Sequence, residues 1–367
     1  MTAALPVAAG VPLFLLGLAV VTLTFLSALS TVVVPRGVPV RLSRLMFVGV
    51  LRLFELRTRF ARTYEERDRS MALYAPLTLV SLPVMWLTLV LLGATAMFFA
   101  LGVSPLRQAF LTSGSSLLTL GFAVAPDLPT TVLALSEAVV GLILLALLIT
   151  YLPSMYSAFS RREALVSLNA IQAGNPPSAG ELLERFHVLN DLDMLETEVW
   201  RPWSSWFIDI EETHTSLGAL AFFRSPHPER SWVTSAGSVL DAAAIVSSTV
   251  DVARQPVAEL CIRTGYLSLR AIADFYGIAY DADPAAIDPI AVAREEFDEV
   301  VARLAAAGVP LRADLDRAWA DFRGWRVNYD TVLIALAAFT IAPYAPWSSD
   351  RSPARTHRPP VRRRRSA

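Results

Sequence analysis

Residues 112–131, TSGSSLLTLGFAVAPDLPTT, place hydroxyls and glycines between two long apolar runs. Non-helical backbone at membrane depth is tolerated only where protein buries it or where it lines a water-filled cavity. The chemistry open to Thr119, Leu120, Gly121, Phe122 and Ala123 is therefore that of their carbonyl oxygens, which can replace the water shell of a cation when several copies surround an axis. The preceding LRQAFLTSGSSLL is helix-compatible, with Ser104-Pro105 as cap and first turn. A half-helix of roughly 8–12 residues is too short to cross a bilayer, and its C-terminal end adds negative partial charge toward the cation. Thr112, Ser115 and Ser116 are the supporting hydroxyls. Glu137 lies inside the next apolar run, where an ionisable group is costly. It either accepts hydrogen bonds from Ser115 or Ser116, bracing the loop, or sits near the outer headgroups.

The elements that must hold this stretch follow from hydropathy. The chain has 367 residues, 54% of them hydrophobic, and a mean hydropathy of +0.47, which is long enough and apolar enough for a membrane part plus a soluble domain. Residues 11–34, 71–102 and 130–152 are the three candidate spans, the last with Glu137 as its only charge and Pro129 at its start. The 36–70 loop holds nine Arg against four acids, whereas 103–129 holds only Arg107 and Asp127. The positive-inside rule then puts the N-terminus outside and residues 154–367 in the cytosol of a plasma-membrane protein. Residues 40–60 read as an amphipathic helix on the inner leaflet.

The arrangement of helix, short helix, TLGF and helix resembles the pore module of potassium channels, whose filter reads T-V-G-Y/F-G-D. The matching positions are Thr119 to Ala123. Gly141, 20 residues past Gly121, falls near that family's flexible inner-helix glycine. The resemblance covers residues 71–153 and implies four chains around one axis, with K⁺ or another monovalent cation as the permeant ion and no cofactor. Ala123 and Val124 stand where the family has its second glycine and its acid. An alanine at φ > 0 would be strained by about 1 kcal/mol or more. Gly141 is a hinge or a close-packing contact. Leu145 and Ile149 share its face and line a cavity, lipid or a neighbouring helix, and Pro153 ends or kinks the helix.

The remainder is expected to be an all-α cytosolic domain, residues 154–347, followed by a disordered basic tail, 348–367. Residues 181–330 carry 25 acids and 13 Arg, a net charge of −12 (13 − 25), which either focuses cations beneath a pore or serves solubility. Pro256 to Tyr276 closed by Gly277, and a helix capped by Asp288-Pro289 and stopped by Gly308, are the clearest helical signals. Arg161, Arg162 and Glu163 begin a linker or form a positive-inside anchor. His214 near Glu211 and Glu212 makes a weak zinc case beside the single Cys261, and FRSPHPERSW is a proline-bearing surface loop or an anion site through Arg224 and Arg230. No phosphate-binding glycine loop, nucleophile elbow or HExxH motif appears, so no enzyme, metal or nucleic-acid partner is expected. The basic linker and tail are candidate contacts for anionic lipid. Two function classes result: a tetrameric cation channel, or a non-conducting membrane-anchored sensor or scaffold. A transporter subunit is weaker, for want of an inverted repeat.

Overall fold

The computed structural model describes residues 7–32, 41–58, 64–189 and 192–351. The basic tail expected at 348–367 lies outside them beyond residue 351, as do residues 33–40 between the first helix and the amphipathic one. Among the described residues the architecture is all-α, and the only strand-like pairing is an isolated bridge between Val250 and Leu311. The helices are α1 (Val7–Val32), α2 (Arg41–Thr58), α3 (Tyr64–Ala72), α4 (Tyr74–Ala100), α5 (Leu106–Leu117), α6 (Leu128–Gln172), α7 (Ala179–Val188), α8 (Arg201–Ser216), α9 (Trp232–Ser248), α10 (Pro256–Tyr276), α11 (Arg294–Ala306), α12 (Leu315–Arg326) and α13 (Asp330–Thr340). Chain contacts divide them into two compact units, residues 1–61 with 70–157, and residues 62–69 with 158–367.

Among the described residues three helices are long and apolar enough to cross a membrane: α1, the α3–α4 stretch Arg69–Ala100, and α6. In the first unit α1 lies along α4 at backbone contact, because a Cβ on Gly17 would meet the Gly93 carbonyl oxygen. Without a hydrophobic driving force in lipid, small residues let helices approach closely enough for dispersion to hold them. Pro76 sits in the first turn of α4, where no carbonyl waits for its missing N–H. Pro83 lies inside α4, and the neighbouring hydroxyls of Thr78 and Ser81 bond back to the Tyr74 and Thr78 carbonyls. On α2, Leu45, Leu53 and Leu56 are exposed while Phe54 is buried against Tyr74 in an edge-to-face contact.

The 45-residue α6 runs through Pro153 without ending, contrary to the helix stop expected there. Proline costs about 3 kcal/mol inside a helix through the lost N–H and its clash with the carbonyl four residues back. Ser154 Oγ bonds the Thr150 carbonyl at 2.9 Å, and helix-compatible sequence follows on the far side. At 1.5 Å per residue α6 is roughly 68 Å long, so only about 20 of its residues fit within a hydrocarbon core.

The second unit packs α7 to α13 around α9, whose residues 232–246 are all buried. Trp203, Trp206 and Phe207 form one aromatic cluster in the same core, which Trp200 also joins. The expected α10 matches residue for residue, closed by Gly277 at φ +72, a left-handed stop that glycine adopts without steric cost. Asp288 does not cap α11. Its carboxylate accepts the Ala285 amide in a local turn, and α11 begins at Arg294 with Glu296 Oε2 accepting the Ala293 amide. The apolar TVLIALAAFT stretch forms the buried core helix α13 rather than a fourth span. Asp241, on the buried face of α9, meets Arg326, which also binds Asp330 (2.8 Å) and the Trp347 carbonyl, while Tyr329 Oη donates to Asp241 at 2.9 Å. A buried guanidinium shared by two carboxylates and a carbonyl leaves few lone pairs unpaired, the condition under which burying charge is tolerated.

Candidate functional site

The site is built from α5, the loop after it and the first half of α6. Pro105, rather than Ser104, occupies the cap of α5, its carbonyl accepting the Gln108 amide at 2.7 Å. The twelve-residue helix ends at Leu117. Beyond it the loop is held by the last turn of α5: the Ser115 carbonyl accepts the amides of Leu120 (2.8 Å) and Gly121 (3.4 Å), and Ser115 Oγ accepts the Ala123 amide at 3.0 Å. Three loop amides thus converge on one serine, a role for Ser115 that its hydroxyl alone did not announce.

Thr119 and Gly121 take positive φ, +53° and +74°. Gly121 does so without steric cost, and a Cβ there would meet nothing within 4 Å. Thr119 is β-branched, and at φ > 0 it stores about 1–3 kcal/mol of strain. Its amide bonds the Ser116 carbonyl at 3.0 Å and its own hydroxyl bonds the Leu118 carbonyl at 2.8 Å. Ala123 is not among the positive-φ residues, so the strain expected there falls on Thr119 instead. Leu118, Leu120, Phe122 and Val124 are exposed, Val124 at 84%.

Three contacts set α5 against α6. Ser116 Oγ donates to the Ala134 carbonyl, Ser113 Oγ donates to Glu137 Oε1 at 2.6 Å, and a Cβ on Gly141 would overlap the Leu117 carbonyl oxygen. Ala134, Glu137 and Gly141 recur at helical spacing and form one stripe on α6. Glu137 therefore binds Ser113, not Ser115 or Ser116 as its position suggested, because Ser115 is turned to the loop and Ser116 reaches one turn earlier on α6. Glu137 is 4% exposed, and its Oε2 has no hydrogen-bond partner. Ser113 Oγ also lies 3.2 Å from the Leu91 carbonyl, so this serine touches both flanking long helices. Thr112 is buried, and its hydroxyl makes no hydrogen bond.

Of the expected gate positions, Gly141 serves close packing in this conformation, Leu145 and Ile149 are exposed, and Pro153 lies exposed within the continuous α6. Asp127 caps α6: its Oδ1 accepts the Thr130 amide at 3.0 Å and the Thr130 hydroxyl at 2.5 Å, and hydroxyl then amide hold its carboxyl below the usual carboxylate range.

In the second unit Arg162 is not an exposed anchor. It is fully buried, paired to Glu163 at 2.8 Å, and donates to the Leu220 (2.8 Å) and Phe223 (2.7 Å) carbonyls. His214 packs on Trp232 and lies 3.3 Å from Arg162. Burial first, and then the adjacent Arg162 charge, drive its imidazole well below the ordinary histidine range. No group of three His, Cys, Asp or Glu side chains among the described residues could hold a metal ion. Cys261 is buried, and burial pushes its thiol up to about 12, so it presents no thiolate at neutral pH.

Set beside known proteins, the chain matches no protein-family model, no curated protein and no solved structure.

Proposed function

We propose that this chain forms a passive cation channel similar to potassium channels, with four copies around one axis. In this reading α5 and the 118–124 loop re-enter the membrane from outside between α4 and α6, and the carbonyls of Thr119 to Ala123 replace ion hydration. The observation that carries it is the loop itself. A short helix is followed by a loop that holds a β-branched residue at φ +53° and a glycine at φ +74°, is tied to the last turn of that helix, and is flanked by exposed apolar side chains between two apolar helices. Backbone strain persists only where surrounding contacts impose it, and it concentrates at functional sites. Exposed Leu120, Phe122 and Val124 call for apolar surroundings that neighbouring copies or lipid would supply. The arginine-rich 36–70 segment orients the second unit toward the cytosol in a plasma membrane. Passive flux asks no catalytic residue of the protein.

A second reading is favoured by one observation, Ala123-Val124 in place of the family's glycine and acid. In it the membrane unit anchors a non-conducting sensor or scaffold formed by the second unit. Reconstituted vesicles decide between the two. The channel predicts labelled Rb⁺ uptake down a gradient, abolished by Gly121→Val, because valine at φ +74° and in the ion path is doubly excluded. Wild-type vesicles no leakier than empty ones establish the anchored reading.

A further inference from the structure

The second unit has a small, shallow recess, open to solvent, between residues 223–232 and the end of α13. Arg224, Ser225, Arg230 and Trp232 line it, together with Thr340. The lining contains two guanidinium groups and no carboxylate, although residues 181–330 around it carry 25 acids against 13 Arg. The nearest acid in sequence, Glu229, is exposed and accepts from Asn175 Nδ2.

Both guanidinium groups are held in place. Arg224 Nη1 donates to the Ile341 carbonyl at 2.7 Å, and Arg230 Nη1 lies 3.4 Å from Ser167 Oγ. Two buried atoms on the lining residues have no hydrogen-bond partner, Arg230 Nε and Ser225 Oγ. Buried polar groups in folded proteins are nearly always paired, and an arginine Nε can only donate. Beside this positively charged recess two buried polar atoms thus lack partners, and an acceptor-rich anion seated there would supply one.

We propose that this recess is an oxoanion site that takes a phosphate or phosphoryl group. Two guanidinium groups and a hydroxyl line this recess, and guanidinium forks match the oxygens of a phosphate bidentately. The site is tied to α6 within this unit, since the Phe223 carbonyl accepts from Arg162 and Arg230 meets Ser167, both on α6. A soluble phosphate and a phospholipid headgroup share this chemistry. The inference does not rest on conduction, so its failure leaves the channel reading untouched.

The test uses the full chain in nanodiscs of phosphatidylcholine. Inorganic phosphate is titrated against chloride at matched ionic strength, following thermal midpoint and ³¹P line width. The expected result is a saturable phosphate response absent with chloride, weakened at least about tenfold in Arg230→Gln, reduced in Ser225→Ala, and retained in Arg254→Gln, whose exposed pair with Glu259 lies at the start of α10. Discs containing phosphatidic acid identify the source. An Arg230-dependent rise in midpoint there, without free phosphate, assigns a headgroup; a response to free phosphate alone assigns a soluble ligand. Identical phosphate and chloride curves together with no effect of phosphatidic acid, or a full response in Arg230→Gln, overturn the site. If Arg230→Gln does not fold, undiminished phosphate binding by Ser225→Ala overturns it equally.

Discussion

At residue scale, the contacts that set the short helix against α6 are backbone-close, which makes them sensitive to single atoms. Gly141→Ala would drive a methyl group into the Leu117 carbonyl, and α5 can yield only by losing its Ser113 and Ser116 bonds. Overpacking of this kind costs about 1–3 kcal/mol, so the thermal midpoint of the membrane unit should fall while that of the second unit stays put. An unchanged midpoint in both units would show that α6 is free to move away from α5. His214 gives a prediction of a different kind. Its folded pKa is depressed and its unfolded value is near 6.5, so its neutral form is no burden above pH 6.5. As pH falls through about 6.5 the unfolded chain takes up a proton that the folded one refuses, and stability drops by up to about 1.4 kcal/mol per pH unit. Urea midpoints at pH 7.5 and 5.5 should therefore converge in His214→Gln relative to the native chain; equal pH sensitivity of the two chains rules out His214 as the group responsible.

At the scale of elements, Ser115 organises the loop after α5 through three amides. Ser115→Ala removes only the hydroxyl contact to Ala123, worth about 0.5–1.5 kcal/mol. Hydrogen exchange at Ala123 should quicken by roughly twofold to tenfold, with the amides of Leu120 and Gly121 little changed because the Ser115 carbonyl remains; uniform loss of protection across 119–123 would mean the loop is a single cooperative turn. The elements themselves were largely legible in the sequence. Long uncharged runs, the Gly277 stop after α10 and the short apolar α13 each declare themselves by length, period or a breaker residue. What stayed hidden depends on partners distant in the chain. Pro153 reads locally as a stop, yet helix-compatible sequence on both sides carries the helix through it. Asp288-Pro289 has the composition of a cap, but the Ala285 amide claims the carboxylate first. Which serine reaches Glu137 is set by how α5 crosses α6, a rotation that no spacing within either helix encodes. One missed signal was available: Asp241 stands alone in the buried run AGSVLDAAAIV, and Arg326 and Asp330 sit four residues apart, a spacing suited to a shared ion pair.

At the scale of the whole molecule, one chain leaves much apolar surface outside its own packing. On α6 Leu135, Val139, Leu142, Leu145 and Ile149 are exposed, as are Leu120, Phe122 and Val124 beside the strained loop. Lipid can cover a helix flank, but a loop with polar backbone at membrane depth cannot be left to lipid, since its amides and carbonyls would lose several kcal/mol each without partners or water. In the proposed channel, copies of the same loop around an axis would resolve this, with side chains meeting neighbours and carbonyls meeting water or ions. The expectation is a particle whose protein mass is about four times the 40.0 kDa chain once bound detergent is subtracted by light scattering. Substituting Phe122 and Val124 together by Ser should shift that mass toward the single chain while the second unit keeps its own unfolding transition. A native particle of one or two chains would leave the loop without its axis and remove the reason for reading Thr119 to Ala123 as an ion path.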